Sequence, residues 1–450
     1  MSIFESAGFV KAKFQPCLNT GTILDIALGD YVIGTNGEWI LNGGLAPMTG
    51  ITGYGGTYKS TAFDSLIVRV LMRYPLIEVL KYDTEQNAFT VTRFDRMART
   101  EEVSHRILLT NQSTMDVDEF QDNLKKLFEA RERDKYSYTV ETPFLDLDTG
   151  KPALMWVPLI VYIDSFTMLR PAAEEQSSKK TNVEDQSNNT NDMNDGRMKK
   201  ALISLFSKWS QRYGIYFMMT AQLGNVIKMN MYETVTKQNQ WFKQNDNMKN
   251  VGPLFKYLTN TLLQAINPTP ILASDKKSAE YPNNHNNENS IDINELNIRI
   301  IRCKTSLSGG TIPFVMSQNL GILSDLTNYH YLKKNGDFGY NVKGYSRYCV
   351  LKPDVKLTRM DIIDTLENDY ELCRALEILT QLKWITTYWN IANMDVNIPE
   401  TAEKFVDMVA AQDTLLISDI LNSRGYWTYN KEDKRPYLST MDIIEKIQKR

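Results

Sequence analysis

Pro47-Met48-Thr49-Gly50-Ile51-Thr52-Gly53-Tyr54-Gly55-Gly56-Thr57-Tyr58-Lys59-Ser60-Thr61 is the stretch whose reading decides the fold. Pro47–Thr52 can form a short strand, a glycine-rich turn comes next, and a helix can start near Lys59. Phe63, Leu66, Ile67, Val70 and Leu71 fall at i, i+3, i+4, i+7 and i+8, one helical face. Pro75 ends that helix. Strand, turn and helix in this order nearly fit the phosphate loop G-x-x-x-x-G-K-[ST], with Tyr58 standing where the pattern has its last glycine. A phosphate tail needs backbone N–H groups converging on it, and glycines let the chain come close. A helix start adds the positive end of its dipole. Gly53, Gly55, Gly56, Thr57, Tyr58, Lys59, Ser60 and Thr61 are therefore the expected nucleotide contacts. Lys59 supplies a cation to the β and γ oxygens and Ser60 a hydroxyl to Mg²⁺. The bland alternative is an ordinary glycine-rich turn.

Outward from this unit, strand and helix patterns alternate from Gly43 to about Asp325, the signature of an α/β fold with a mostly parallel sheet. Leu76–Tyr82 reads as a buried strand ending in Asp83-Thr84-Glu85. Val117, Phe120, Leu124, Leu127 and Phe128 mark an amphipathic helix, and Tyr136–Trp156 a hairpin turning at Asp148-Thr149-Gly150. Val157–Ile163 is almost wholly apolar, as a central parallel strand should be. Arg197–Tyr213 reads as helix, Ile215–Thr220 as a buried strand, and Leu296–Ile301 and Pro313–Met316 as later strands. Glu174–Asp195 and Asp275–Ser290 are polar enough to be mobile loops. Beyond Tyr329 helical periodicity dominates, with Ile362, Ile363, Leu366, Tyr370 and Leu379 on one helix and a capping box at Ser439–Asp442. The expected division is an N-terminal segment over 1–40 with a role in oligomerisation, a core over 41–328, and a helix-rich domain over 329–450.

The bulk numbers narrow the function classes. The chain has 450 residues and 42% hydrophobic residues, enough for a sizeable core. Four scattered cysteines without a Cys/His cluster argue against structural zinc and fit a reducing compartment. Three histidines, none near a nucleophile, exclude the common triads. A net charge of −3 does not suit a passive nucleic-acid coat. No stretch approaches the ~20 apolar residues of a membrane span. The N-terminus carries no secretory pattern.

Three polar residues at strand ends complete a possible reaction centre. Asp164 can hold Mg²⁺ through water. Glu85 can orient and deprotonate an attacking water. Gln222 can touch a γ-phosphate and report it to the next segment. Each is also readable as a plain strand-end or turn residue. That next segment, Asn225–Asn250, interleaves Lys228, Lys237, Lys243 and Lys249 with Tyr232, Trp241 and Phe242. Cations with stacking aromatics suit single-stranded DNA, and a solvated loop is the alternative.

The order of these parts resembles the RecA/UvsX family of recombinases. Gly44–Met48 resembles the family's entry strand, Asp83-Thr84-Glu85 the position of its catalytic glutamate, Val161–Ser165 its Walker B strand, and Thr220-Ala221-Gln222 its γ-phosphate sensor. The aromatic before Lys59 is closer to phage UvsX than to bacterial RecA. The resemblance covers about residues 40–325. It implies a RecA-type P-loop ATPase core using ATP and Mg²⁺, and catalytic roles for Glu85, Lys59 and Gln222. It implies DNA-binding loops near 170–195 and 223–252, with Lys199, Lys200, Lys228, Lys237, Trp241, Lys243 and Lys249 as DNA contacts. Arg302 and Lys304 would reach the ATP of a neighbouring subunit. The implied activity is ATP-dependent strand exchange by a helical homo-oligomeric filament on single-stranded and double-stranded DNA, in recombination, repair and recombination-dependent replication. The implied place is a host cytoplasm or phage replication compartment, with a loading or mediator protein and no membrane. Phe94 is the nominee for stacking on adenine. Rival readings are a ring helicase on the same core and a non-hydrolysing DNA-binding paralogue.

Overall fold

The computed structural model describes residues 14–85, 91–99, 102–111, 114–170, 188–225, 237–282, 292–389, 396–412 and 415–448. The first described elements are a short helix, α1 (Ile23–Leu28), and a hairpin of β1 (Asp30–Ile33) and β2 (Trp39–Asn42). The phosphate-loop unit comes next as β3 (Met48–Gly53) and α2 (Lys59–Arg73). Then come β4 (Glu78–Asp83), α3 (Thr92–Ala98), β5 (Ile107–Asn111), α4 (Val117–Arg133) and the hairpin β6 (Thr139–Asp146) and β7 (Lys151–Trp156). Next are β8 (Leu159–Asp164), α5 (Asn188–Tyr213), β9 (Ile215–Asn225), β10 (Asp246–Met248), α6 (Gly252–Leu258) and β11 (Thr261–Ala265). The sheet ends with β12 (Thr269–Pro270), β13 (Ile293–Cys303), β14 (Thr311–Ser317) and β15 (Gly321–Ile322).

Apart from the two-stranded β1–β2 and β6–β7, these strands form one 11-stranded sheet in the order β15-β14-β13-β11-β3-β9-β8-β4-β5, with β10 paired to β9 and β12 to β13. β5, β4, β8, β9, β3 and β11 run parallel, and β13 to β15 extend the β11 edge antiparallel. The expected α/β class with a mostly parallel sheet is what the chain adopts. Strand side chains alternate between two buried clusters. Ile160 and Tyr162 of β8 and Tyr216 and Met218 of β9 join α2 on one face. Val161 and Ile163, with Phe217 and Met219, join α4 and α5 on the other. Both faces are covered, which is why these strands read as unbroken apolar runs.

The C-terminal part departs from the expected layout in four ways. The boundary at 328 falls inside α7 (Ser324–Lys334). Residues 340–357 form a three-stranded sheet, β16 (Tyr340–Lys343), β17 (Ser346–Cys349) and β18 (Lys352–Leu357), rather than helix. The helix expected through Ile362–Leu379 is two helices, α8 (Ile362–Asn368) and α9 (Tyr370–Tyr388). Asp369 breaks it by accepting the Leu372 N–H at 2.9 Å as an N-cap. The C-terminal residues Leu372, Leu376, Leu379, Trp427 and Ile443 share one buried cluster with α1 and α2. The helices α10 (Ala402–Ala410), α11 (Ile417–Leu421) and α12 (Thr440–Lys446) complete the chain, and α12 opens with the expected capping box of Ser439 and Asp442.

Part of the polar segment Glu174–Asp195 is also helical, since α5 begins at Asn188. The rest of that segment, and 283–290 of Asp275–Ser290, lie outside the described residues. Among the described residues no helix is long and apolar enough to cross a membrane.

Candidate nucleotide site

Gly53 ends β3 and the chain turns sharply into α2. Thr57 Oγ1 donates to the Tyr54 carbonyl at 2.9 Å and closes the turn. A Cβ at Gly53 would come within 2.4 Å of that hydroxyl, so only glycine fits. Cβ atoms at Gly55 and Gly56 would meet nothing within 4 Å. These two backbones face open space, where a bound group could approach them. Gly56 has φ +75°, and Tyr58 has φ 57° and ψ 19°. Tyr58 thus takes up the left-handed conformation natural to the glycine that the motif has there. That explains why the loop keeps its shape without the literal residue. No side chain caps α2, and its first turn holds no acidic residue. The leading N–H groups are therefore open to an anion.

A cavity of about 360 Å³ lies over this helix start, lined among others by Lys59, Ser60, Glu85, Arg93, Asp164 and Gln318. β8 carries Asp164 to its floor, 3% exposed. Asp164 Oδ1 accepts from Ser60 Oγ at 3.1 Å and Thr220 Oγ1 at 2.6 Å. β4, the next strand, delivers Glu85 just past its end. β9, between β8 and β3, delivers Gln222. Gln222 Nε2 donates to Glu85 Oε1 at 3.0 Å, and its backbone N–H donates to Thr167 Oγ1 at 2.9 Å. Thr84 and Ser165 tie the ends of β4 and β8 together, Ser165 N–H donating to Thr84 Oγ1 at 2.7 Å and Thr84 Oγ1 to the Ser165 carbonyl at 2.8 Å. Lys59, Ser60, Asp164, Glu85 and Gln222, dispersed over 164 positions of sequence (Lys59 to Gln222, counting both), thus gather at one end of the parallel strands.

Beneath them lies an ionic network that the sequence reading did not identify. Lys81, 3% exposed, places Nζ 2.8 Å from Asp64 and 3.9 Å from Asp164. Arg93 reaches Asp64 at 3.9 Å and donates to Thr61 Oγ1 at 2.8 Å and the Gln318 carbonyl at 3.0 Å. Burial pushes the Asp64 carboxyl above its usual range, and the Lys81 ammonium opposes that rise. Burial likewise raises Asp83. A signal was present: a lysine between the apolar Leu80 and Tyr82 of a central strand and an aspartate on the buried side of α2 each need a partner.

Other expected site residues lie apart from the cavity. Arg302 and Lys304 are not around it. Arg302 Nη1 donates to the Tyr257 carbonyl at 2.6 Å and to the Lys256 carbonyl, at the end of α6. Lys304 lies exposed just beyond β13, where desolvation and the neighbouring Arg302 cation lower its pKa. Phe94 is fully buried in the core, so it offers no face to an adenine, and that nomination is corrected. Lys199 is also corrected: it is 1% exposed and donates to the Thr167 carbonyl at 2.8 Å, which turns it away from any phosphate outside. Lys200, Lys237, Lys243 and Lys249 are exposed, and Lys228 lies outside the described residues. Trp241 is half-buried. A Cβ at Gly309 would sit 2.3 Å from its ring, so the indole is wedged against that glycine.

No family model and no curated protein matches this sequence. Among solved structures the chain is similar to the crystal structure of the RadB recombinase, at 16% identity and a TM-score of 0.33, over 63% of this chain and 93% of that one. So weak a likeness does not bear on function, which has to be read from this chain's own residues.

Proposed function

We propose that the protein is a DNA-dependent ATPase of the recombinase kind, forming filaments on single-stranded DNA and exchanging strands. The observation that supports this most is the Glu85–Gln222 pair at the cavity. It joins a carboxylate able to act as a base to an amide at the root of the segment that holds Lys237, Trp241 and Lys243. A group sensing the triphosphate would thereby sit on the strand that leads into the DNA contacts, as a nucleotide-controlled DNA grip needs.

Lys59 would neutralise the β and γ oxygens, and the open N–H groups of the loop would hold the phosphates. Ser60 Oγ and the Asp164 carboxylate, already adjacent, are a hard-oxygen pair of the type Mg²⁺ takes. Bound there, Mg²⁺ would neutralise charge developing on the phosphate oxygens. Glu85 would orient water for in-line attack, with Gln222 fixing the carboxylate. The placing of Arg302 and Lys304 away from their own cavity suits a role at the neighbouring subunit's nucleotide. The finer likeness to phage UvsX rests on Tyr58 before Lys59.

The deciding experiment measures ATP turnover with and without single-stranded DNA, and images the protein on DNA with a non-hydrolysable ATP analogue. Stimulated turnover, lost in Lys59→Ala, together with helical filaments supports the reading. Closed rings would replace it with a helicase. Tight DNA binding without turnover would leave a filament subunit that does not hydrolyse ATP.

A further inference from the structure

Tyr54, the second residue of the phosphate loop, points away from the cavity. Its hydroxyl lies 2.6 Å from Asp246 Oδ1 and 2.8 Å from the Asn225 side-chain amide. Those two residues face each other across the last rung of the β9–β10 ribbon, where Leu223 pairs with Met248, Gly224 with Asn247 and Asn225 with Asp246. Asn225 and Asp246 are thus the two ends at which the chain leaves and re-enters the ribbon. Lys237, Trp241 and Lys243 lie in the stretch that returns to that rung, which is also tied down by Lys256 Nζ donating to the Gln238 carbonyl at 2.6 Å and Arg299 Nη1 donating to the Trp241 carbonyl at 2.9 Å.

The bond directions are fixed by inventory. A phenol has one proton, and an ionised carboxylate only accepts. The Tyr54 proton therefore goes to the nearer oxygen, Asp246 Oδ1 at 2.6 Å, with Asn225 Oδ1 the second acceptor at 2.8 Å. Asp246 is buried at 4% exposure, and its other oxygen lies 3.4 Å from Gln264 Nε2, on β11. Gln264 in turn pairs in register with Thr52, two residues before Tyr54 on β3. The network closes on itself: phosphate loop, ribbon, β11, phosphate loop. The hydrogen bond to Asp246, with partial burial behind it, holds the Tyr54 phenol up at about 12, so it stays a donor.

The network is also incomplete. Thr52 Oγ1, Asn247 Oδ1 and Gln264 Oε1 are buried without a hydrogen-bond partner. Buried polar groups are rarely left so, and a half-satisfied cluster has bonds to gain by shifting. On the other side of the same strand, three residues earlier, Gln222 faces Glu85. The ribbon is therefore held to the nucleotide site at two points, the Gln222 amide through Glu85 of the cavity lining and the Tyr54 hydroxyl outside the cavity.

We propose that Tyr54, Asp246 and Asn225 form a clamp that couples occupancy of the phosphate loop to the position of the β9–β10 ribbon, and so regulates the DNA-binding segment the ribbon carries. This rests on the loop being the nucleotide site proposed above. Phosphates that draw the Gly55 and Gly56 backbones inward move Tyr54 with them, and the clamp passes that shift to both ends of the segment. Tyr54, Asp246 and Asn225 are positioning residues in this scheme. None of them touches the nucleotide.

The test measures amide exchange in the ribbon strands 223–225 and 246–248 of the full chain, free and saturated with a non-hydrolysable ATP analogue and Mg²⁺. Tyr54→Phe removes only the hydroxyl. Asn225→Ala, at an exposed site, breaks the other arm and should leave analogue affinity unchanged. The parent ribbon should slow its exchange when the analogue binds. Both variants, melting like the parent, should lose about three- to tenfold of that protection, the worth of one ordinary hydrogen bond. A ribbon that responds equally in parent and variants overturns the clamp, and so does a parent ribbon that ignores a tightly bound analogue. Failure of the parent to bind any nucleoside triphosphate overturns the site reading beneath it, and the clamp falls with it.

Discussion

Replacing Glu85 by glutamine separates a chemical role from a structural one. Glu85 Oε1 accepts from Gln222 Nε2 at 3.0 Å, which leaves its second oxygen to take a proton from water. A glutamine keeps a carbonyl oxygen for the Gln222 amide and almost the same shape. The change should therefore cost little fold stability, within the ~1 kcal/mol of one net hydrogen bond. The lost base should cost ~10²-fold or more in turnover, about 2.7 kcal/mol at 1.36 kcal/mol per decade. The assay is steady-state ATP hydrolysis with saturating DNA, alongside equilibrium binding of the analogue and a thermal melt. The expected pattern is slowed kcat, retained nucleotide affinity, an unchanged melt, and filaments that persist on DNA because ATP is no longer consumed. Turnover within tenfold of the parent would place the base elsewhere. A collapse of nucleotide affinity would mean that the pair shapes the pocket rather than the chemistry.

Three further outcomes are expected of the same structure. Changing Lys228, Lys237 and Lys243 to alanine should flatten the slope of log affinity for single-stranded DNA against log salt by ~0.7 per lost contact, about two in all, and an unchanged slope would move the DNA path elsewhere. Mixing an Arg302→Ala/Lys304→Ala protein with a Lys59→Ala protein should restore part of the DNA-dependent turnover that each lacks alone; a dead mixture of filament-forming mutants would refute the trans role. Glu295→Gln tests the junction of β13 and α7, where the His330 hydrogen bond, with those of Lys334 and Asn297 behind it, holds the Glu295 carboxyl down at about 2. Because the folded value is depressed, its contribution is present above the ordinary value of 4.5 and fades as pH falls towards 2. At full value it is about 3 kcal/mol, and about 2 kcal/mol after solvent screening, so the variant should melt earlier at pH 7 and match the parent near pH 2.

What the sequence made legible, and what it hid, divides by the physics involved. α2 and the parallel strands were readable because each buries its faces through its own residues: Phe63, Leu66, Ile67, Val70 and Leu71 announce a stripe without reference to any other segment. The strand ends Asp164, Glu85 and Gln222 were readable because β8, β4 and β9 had to deliver them to the edge where the phosphate loop begins. The α8–α9 break was hidden because the apolar spacing runs straight through it. Only the Asp369 cap divides it, and an aspartate there also suits an exposed helix face. The β16–β18 sheet was hidden by aromatics that fit either period. Lys81 shows the deeper limit. Its charge is meaningful only against Asp64, seventeen positions earlier, and Asp164, far later in the chain. No window of local sequence holds all three. Yet a lysine in a central strand cannot be buried alone, because the desolvation of an unpaired ammonium exceeds the net stability of most domains. Its presence there already required carboxylates on the neighbouring elements. Tyr54 shows a second long-range contact at the loop: its hydroxyl meets Asp246 and Asn225, both far along the chain. Polar groups misplaced by local pattern encode long-range contacts in this chain, and Lys81 and Tyr54 do so beside the proposed nucleotide site.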